Sequence, residues 1–205
     1  MLVERISIDT VRPATTADLN AIDGVLARAF ADDPVWQWAL TKRPIEPPAE
    51  KVLGLFARAH FGDGMVSVAT DRSGTVAGTA VWAPPGRWKI PYSTYARHLP
   101  RLIGGLGVRG LKRILAMEAV ERLHPRDEHY YLAVVGVDPL AQGGGGGRRL
   151  IAPVLERADA EGLPCYLESS KEANVPYYRA FGFEVVNDLV LPGGPMMWMM
   201  RREAR

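Results

Sequence analysis

Apolar and polar positions along the chain change period several times, and the changes mark its elements. "ISIDTVRPA" alternates and is rich in β-branched residues, which predicts a strand. In "TTADLNAIDGVLARAFADDP", Leu19, Ile22, Val25, Leu26 and Ala29 recur at helical spacing behind Thr15 or Thr16 as cap. "VWQWAL" continues as a second short helix. Pro44, Pro47 and Pro48 mark a loop, and "AEKVLGLFARAHFG" is the next helix. "MVSVAT" and "TVAGTAVWAP" about the turn "DRSG" form a hairpin. Residues 91–123 are helical but hold Gly104, Gly105, Gly107 and Gly110, so two helices with a glycine-rich joint are expected.

"EHYYLAVVGVDP" is a strong buried strand. "RRLIAPVLERADAEG" is a helix, "PCYLESS" a strand, and "KEANVPYYRAFGF" a short helix. "EVVNDLVLPG" and "PMMWMMRRE" close the chain as a hairpin. The order is strand, helices, two strands, helices, strand, helix, strand, helix, two strands. It predicts one α/β domain over 1–205 with a mixed sheet.

Between a strong strand and a good helix stand five glycines, Gly143, Gly144, Gly145, Gly146 and Gly147, then Arg148. A linker would sit at a change of composition, and none occurs here. A strand, a tight glycine loop and a helix N-terminus instead make an anion site, with backbone N–H groups and the helix dipole facing the ligand. The run ends Gly-Arg-Arg, without the Lys and hydroxyl of a nucleoside triphosphate loop. A dinucleotide fold wants its glycines in the first strand–helix unit and an acid about 20 residues on. Glu168 stands at such a distance, but the run falls late in the chain behind Asp-Pro and Gln142.

"VVGVDPLAQGGGGG" resembles the acetyl-CoA-binding motif of the GNAT N-acetyltransferases: a strand, then Gln or Arg, two free positions, Gly, one free position, and Gly or Ala. Gln142, Gly145 and Gly147 match it. "YLESSKEANVPYYRAFGFEVV" is similar to the second half of that signature. Within the family, residues 131–200 resemble puromycin N-acetyltransferase in particular, down to "PGGPMMWMM".

The resemblance implies a GNAT fold with an acceptor-side half, 1–128, and an acetyl-CoA-binding half, 129–200. It implies that Gly143 to Arg148 hold the coenzyme pyrophosphate, with Gln142 touching the ligand or bracing the loop. Val135, Gly136 and Val137 would pair with the pantetheine arm, and Asn174 would contact the coenzyme. Tyr178, rather than Tyr177, would be the general acid for the leaving thiolate. Glu168, at a strand end, would take the amine's proton or anchor its ammonium. Direct attack on acetyl-CoA is expected, since no Cys or Ser stands out as a nucleophile. The expected acceptor is a small-molecule primary amine, such as an aminonucleoside. A non-catalytic coenzyme A-binding module and a protein N-terminal acetyltransferase are the alternatives.

Three of the loop glycines, Gly143, Gly144 and Gly146, occupy free positions of the motif, so side chains at 144 and 146 are expected to be tolerated. Trp82 ends a strand near where an acceptor should sit. Arg97, Arg101, Arg109, Lys112 and Arg113 read as a solvated helix face or a substrate lid.

The remaining features narrow the picture. With 47% apolar residues and a formal charge of +2, nothing asks for nucleic acid or an anionic membrane. The first ten residues do not read as a signal peptide, and no apolar run approaches the ~20 residues a bilayer span needs. The lone Cys165 allows no internal disulfide and suggests the cytoplasm. His60, His98, His124 and His129 lack metal-ligand spacing, so no metal is expected. A monomer or homodimer is expected.

Overall fold

A computed structural model describes residues 5–40 and 44–205. The strands are β1 (Thr10–Pro13), β2 (Val66–Thr70), β3 (Val76–Ala83), β4 (Tyr130–Val137), β5 (Cys165–Ser169), β6 (Glu184–Val190) and β7 (Met196–Arg202). The helices are α1 (Leu19–Ala29), α2 (Pro34–Ala39), α3 (Glu46–His60), α4 (Tyr92–Arg97), α5 (Leu99–Ala116), α6 (Glu118–Glu121), α7 (Gly146–Glu161) and α8 (Val175–Arg179). The strands form one sheet in the order β1-β2-β3-β4-β5-β7-β6. Only β4 and β5 are parallel, joined through α7. No helix among the described residues is long and apolar enough to cross a membrane.

Helices cover both faces of the sheet. Ile22 and Leu26 of α1, Leu53 of α3 and Leu106 of α5 share a core with Val68, Val81 and Val134. Leu150, Ile151 and Leu155 of α7 share another with Ala80, Trp82, Leu132 and Leu167. β3 lies between these layers, and every one of its residues is buried. A bulge interrupts the β3–β4 ladder: Val81 faces Val134, yet Trp82 faces Leu132. The extra residue, Ala133, therefore packs on the α1 side together with Val134. Bulges bend a strand and increase its twist, and this one lies midway along β4.

Gly136 has a packing role. A Cβ there would lie 3.0 Å from both Ala29 Cβ and Leu26 Cδ2, so its absence lets α1 press onto β4. We expect Gly136→Val to destabilise the fold by about 1–3 kcal/mol through overpacking. The thermal midpoint should drop about 2–4 °C for each kcal/mol. An unchanged midpoint would show that α1 can move away freely.

Two expectations about helices are corrected. α3 starts at Glu46, with Pro47 and Pro48 inside its first turn rather than in a loop. Proline is tolerated there because the first N–H groups have no helical partner anyway. Residues 91–123 form three helices, broken at His98 and Met117, and the glycines lie inside α5. A Cβ at Gly105 would meet Pro48 O at 2.9 Å, and one at Gly110 would meet Ala39 O at 2.8 Å. These glycines serve close helix packing, not a joint.

Candidate active site

β4 and β5 pair only at Tyr130–Cys165 and Tyr131–Tyr166. Beyond these two pairs the ladder ends, and two cavities open on either side of the gap. One, of about 780 Å³, is lined by Val135, Gly136 and Val137, the glycine loop, Arg148 and Tyr177. The other, of about 540 Å³, lies toward α2, α3 and α4–α6 and contains Glu168. Phe30, Val135, Asn174 and Tyr178 line both. The cavities therefore meet at these four residues.

The loop at the first cavity is built from β4 outward. Asp138, nearly buried, caps the turn after the strand by accepting from Leu140 N at 3.0 Å, and it pairs with Arg28 at 2.7 Å. Gln142 Nε2 donates to Val137 O at 3.1 Å, so Gln142 braces the loop on the strand. Gly145, at φ +76°, is the N-cap of α7 and offers no side-chain cap. The first helical bond there is Arg149 N to Gly145 O, 3.1 Å. The amides of Gly146, Gly147 and Arg148 thus have no partner within the helix, the arrangement that suits an anion.

The ranking of the five glycines changes. Gly143 has φ +86°, so it is not a free position. A Cβ on Gly146 would run into the Ile8 side chain, and one on Gly147 would lie 2.6 Å from the Tyr177 hydroxyl. The expected acceptance of a valine at Gly146 thus requires the flexible tip of Ile8, in the N-terminal segment packed there, to swing aside. Gly144 is the open one, with only Ala141 O at 3.8 Å, and it does not line the cavity.

At the junction, Tyr178 is buried and Tyr177 is 41% exposed, which separates two residues that periodicity left equal. Burial, then neighbouring Tyr177, raises the Tyr178 phenol well above its ordinary value, so it stays protonated as a donor. Asn174 stands at the N-cap position of α8 without making a capping bond, which removes the simplest structural reason for it.

Glu168 is more enclosed than a surface carboxylate, with its side chain 7% exposed. Its Oε1 lies 3.1 Å from His124 Nδ1. His124 Nε2 is 2.9 Å from His129 Nε2, and His129 Nδ1 is 2.7 Å from Asp127 O. Trp88 stacks on His124 with centroids 3.6 Å apart. Burial first, and the Glu168 charge next, hold the Tyr131 and Tyr166 phenols high. The histidines were missed because they flank a loop and share no spacing with Glu168. The only available signal was a pair of histidines just before the strongest strand.

Three further placements matter. Trp82 is wholly buried in the α7-side core and does not line the acceptor-side cavity; Trp36 and Trp88 do. Arg101 pairs with Asp23, and Arg113 donates to Trp38 O, so neither is merely solvated. The side chains of Arg109 and Lys112 lie outside the described residues. Cys165 is fully buried, and burial pushes its thiol up to about 12, which suits packing and not nucleophilic attack.

The profile of the Acetyltransferase (GNAT) family matches residues 33–183. The chain belongs to the GNAT acetyltransferase family. An N-acetyltransferase of Schizosaccharomyces pombe, itself uncharacterised, is 34% identical over 181 residues, covering 81% of this chain and 70% of that one. A solved structure described as histone acetyltransferase HPA2 and related acetyltransferase, from Corynebacterium glutamicum, matches with TM-score 0.69 and 26% identity over 97% of both chains. Arylalkylamine N-acetyltransferase 2 of Aedes aegypti matches with TM-score 0.71 at 16% identity, over 96% of this chain and 99% of that one. That last likeness concerns the fold alone. This GNAT protein is an acetyl-CoA-dependent acetyltransferase. The mixed sheet read from the sequence is the observed one.

Proposed function

We propose that this GNAT enzyme transfers acetyl from acetyl-CoA directly to the primary amine of a small molecule. The observation that carries it is the junction: a glycine-cradled cavity and a carboxylate-bearing cavity open on opposite sides of one strand gap and share Tyr178. The coenzyme fits the first cavity. Unpaired amides at the α7 N-terminus and Arg148 suit its pyrophosphate, and the β4 edge suits its amide-bearing arm.

The acceptor enters from the Glu168 side. Its ammonium must lose a proton before attack, and Glu168 takes it. The neutral amine attacks the thioester carbonyl, and backbone N–H groups of the parted β4 steady the developing oxyanion. Tyr178 donates to the departing thiolate. Asn174 contacts the coenzyme where the cavities meet. The likeness to puromycin N-acetyltransferase points to an aminonucleoside as one acceptor to try, and the lone buried Cys165 supports a cytoplasmic setting.

An acceptor screen tests the reading. Amines, peptides and aminoglycosides are offered with acetyl-CoA, and free thiol and acetylated product are both measured. Acetylated small amines support it; acetylated peptide N-termini alone replace it with a protein acetyltransferase. In the same assay, Tyr178→Phe should lower kcat about 100-fold, the lower end for general acid catalysis, with little change in acetyl-CoA binding. An unchanged kcat removes Tyr178 as the acid.

A further inference from the structure

We propose that the second cavity takes an amine with a single positive charge and a bulky, ring-bearing apolar body. This rests on the reading of that cavity as the acceptor side. Its walls are mainly aliphatic and aromatic, with Trp36, Phe56, Trp88, Tyr95 and Leu106 among them. Its volume, about 540 Å³, suits a molecule of one or two rings. Two carboxylates reach it among the described residues: enclosed Glu168 and exposed Glu121. Burial holds His60 below its ordinary value, so it adds no charge. Lys89, held 5.0 Å over the Trp88 ring, places a positive charge on the same wall.

One ammonium can therefore be matched at enclosed Glu168, while a second would reach only exposed Glu121, where a solvated pair gains little, or else lie against apolar walls or face Lys89. Burying an unpaired charge is far more costly than burying a ring is favourable. Polyamines and aminoglycosides are thus disfavoured, and very small amines leave the walls unfilled.

The test compares kcat/KM for 2-phenylethylamine, spermidine and ethylamine at saturating acetyl-CoA. Burial of the ring should favour 2-phenylethylamine over both by about 10- to 100-fold. Phe56→Ala should narrow its lead over ethylamine, acting mainly through KM. A spermidine or ethylamine value equal to that of 2-phenylethylamine overturns the proposal and leaves the transferase reading intact. If no amine of a wide panel is acetylated while acetyl-CoA still binds, the transferase reading itself falls.

The hydrogen-bond chain behind Glu168 carries a second inference. Asp127 O only accepts, so His129 Nδ1 holds a proton. One proton must lie between the two Nε2 atoms, and one between His124 Nδ1 and Glu168. That makes three protons, one more than two neutral imidazoles and a carboxylate possess. We infer that the chain holds one shared proton, as an imidazolium beside ionised Glu168 or as neutral imidazoles beside protonated Glu168. In the first form Glu168 is ionised and can take the acceptor's proton, with the Tyr131 and Tyr166 phenols as its other neighbours. His124 and His129 are then positioning residues that set the readiness of Glu168.

Tyr131 and Tyr166 face Glu168 from β4 and β5, and Asp127, itself paired with Arg201 at 2.8 Å, faces His129. Glu121 and Lys89 line the same cavity. Replacing His124 by Phe breaks the hydrogen-bond chain and removes the place of its shared proton beside Glu168. The acid limb of the kcat/KM–pH profile should move up in His124→Phe, and His129→Phe should move it less. A uniform loss with an unmoved profile in His124→Phe, with His124→Gln alike, makes the pair merely structural and overturns the inference.

Discussion

Glu168→Gln should lower kcat/KM for the amine acceptor by about 10²- to 10³-fold at neutral pH, the lower part of the range lost with a general base. The amide keeps the shape and can still accept from His124, so the fold should persist. It cannot take a proton. The variant then depends on the small fraction of acceptor already neutral in solution, and that fraction rises tenfold per pH unit below the amine's own pKa. Its deficit should therefore shrink steadily as pH rises. Acetyl-CoA affinity should hardly change, because Glu168 does not line the coenzyme cavity. A deficit that stays constant across pH would instead make Glu168 an ammonium anchor, the alternative role its position allows.

Gly145→Val should weaken acetyl-CoA binding by about 10- to 100-fold, as 1–3 kcal/mol of backbone strain must be relieved by rebuilding the loop. The cause is conformation rather than space: a Cβ at 145 would meet nothing within 4 Å, but φ is +76° at the helix N-cap. A β-branched residue resists that conformation. Leaving it turns the unpartnered amides of Gly146 to Arg148 away from the cavity. Gly144→Lys, at the open position away from the cavity, should leave affinity within about threefold, since surface changes seldom exceed 0.5 kcal/mol. Isothermal titration with coenzyme A measures both. Equal losses in the two variants would place the recognition elsewhere.

Much of this was legible in the sequence. Apolar runs between turn residues located β4, β5 and the closing hairpin; β4, β5 and β7 bury at least alternate residues, whereas β6 is largely exposed. The glycine run was recognisable because a strand and a helix enclose it within a few residues. Tyr178 was separable from Tyr177 only through the family resemblance; the fold buries Tyr178 and leaves Tyr177 exposed. What stayed hidden depends on contacts between distant segments. Nothing in Gly146 foretells Ile8, more than 130 positions away, and nothing in Glu168 foretells His124 and His129. The helical glycines of α5 read locally as breaks because intrinsic propensity counts against them. Packing against Pro48 and Ala39 decides otherwise. Trp82 reads as a strand-end residue near a site, yet the bulge at Ala133 and the α7 layer place it in the core.

Direct transfer at the junction of the two cavities is the central claim, and one experiment meets it squarely. The protein is incubated with acetyl-CoA alone, then with an accepted amine, and intact protein, free thiol and acetylated amine are followed by mass spectrometry. The account predicts no acetylated protein at any time, and thiol and amide appearing together in equal amounts only when both substrates are present. An acetyl group carried on the protein before the amine is added, or thiol released without amide, would contradict it.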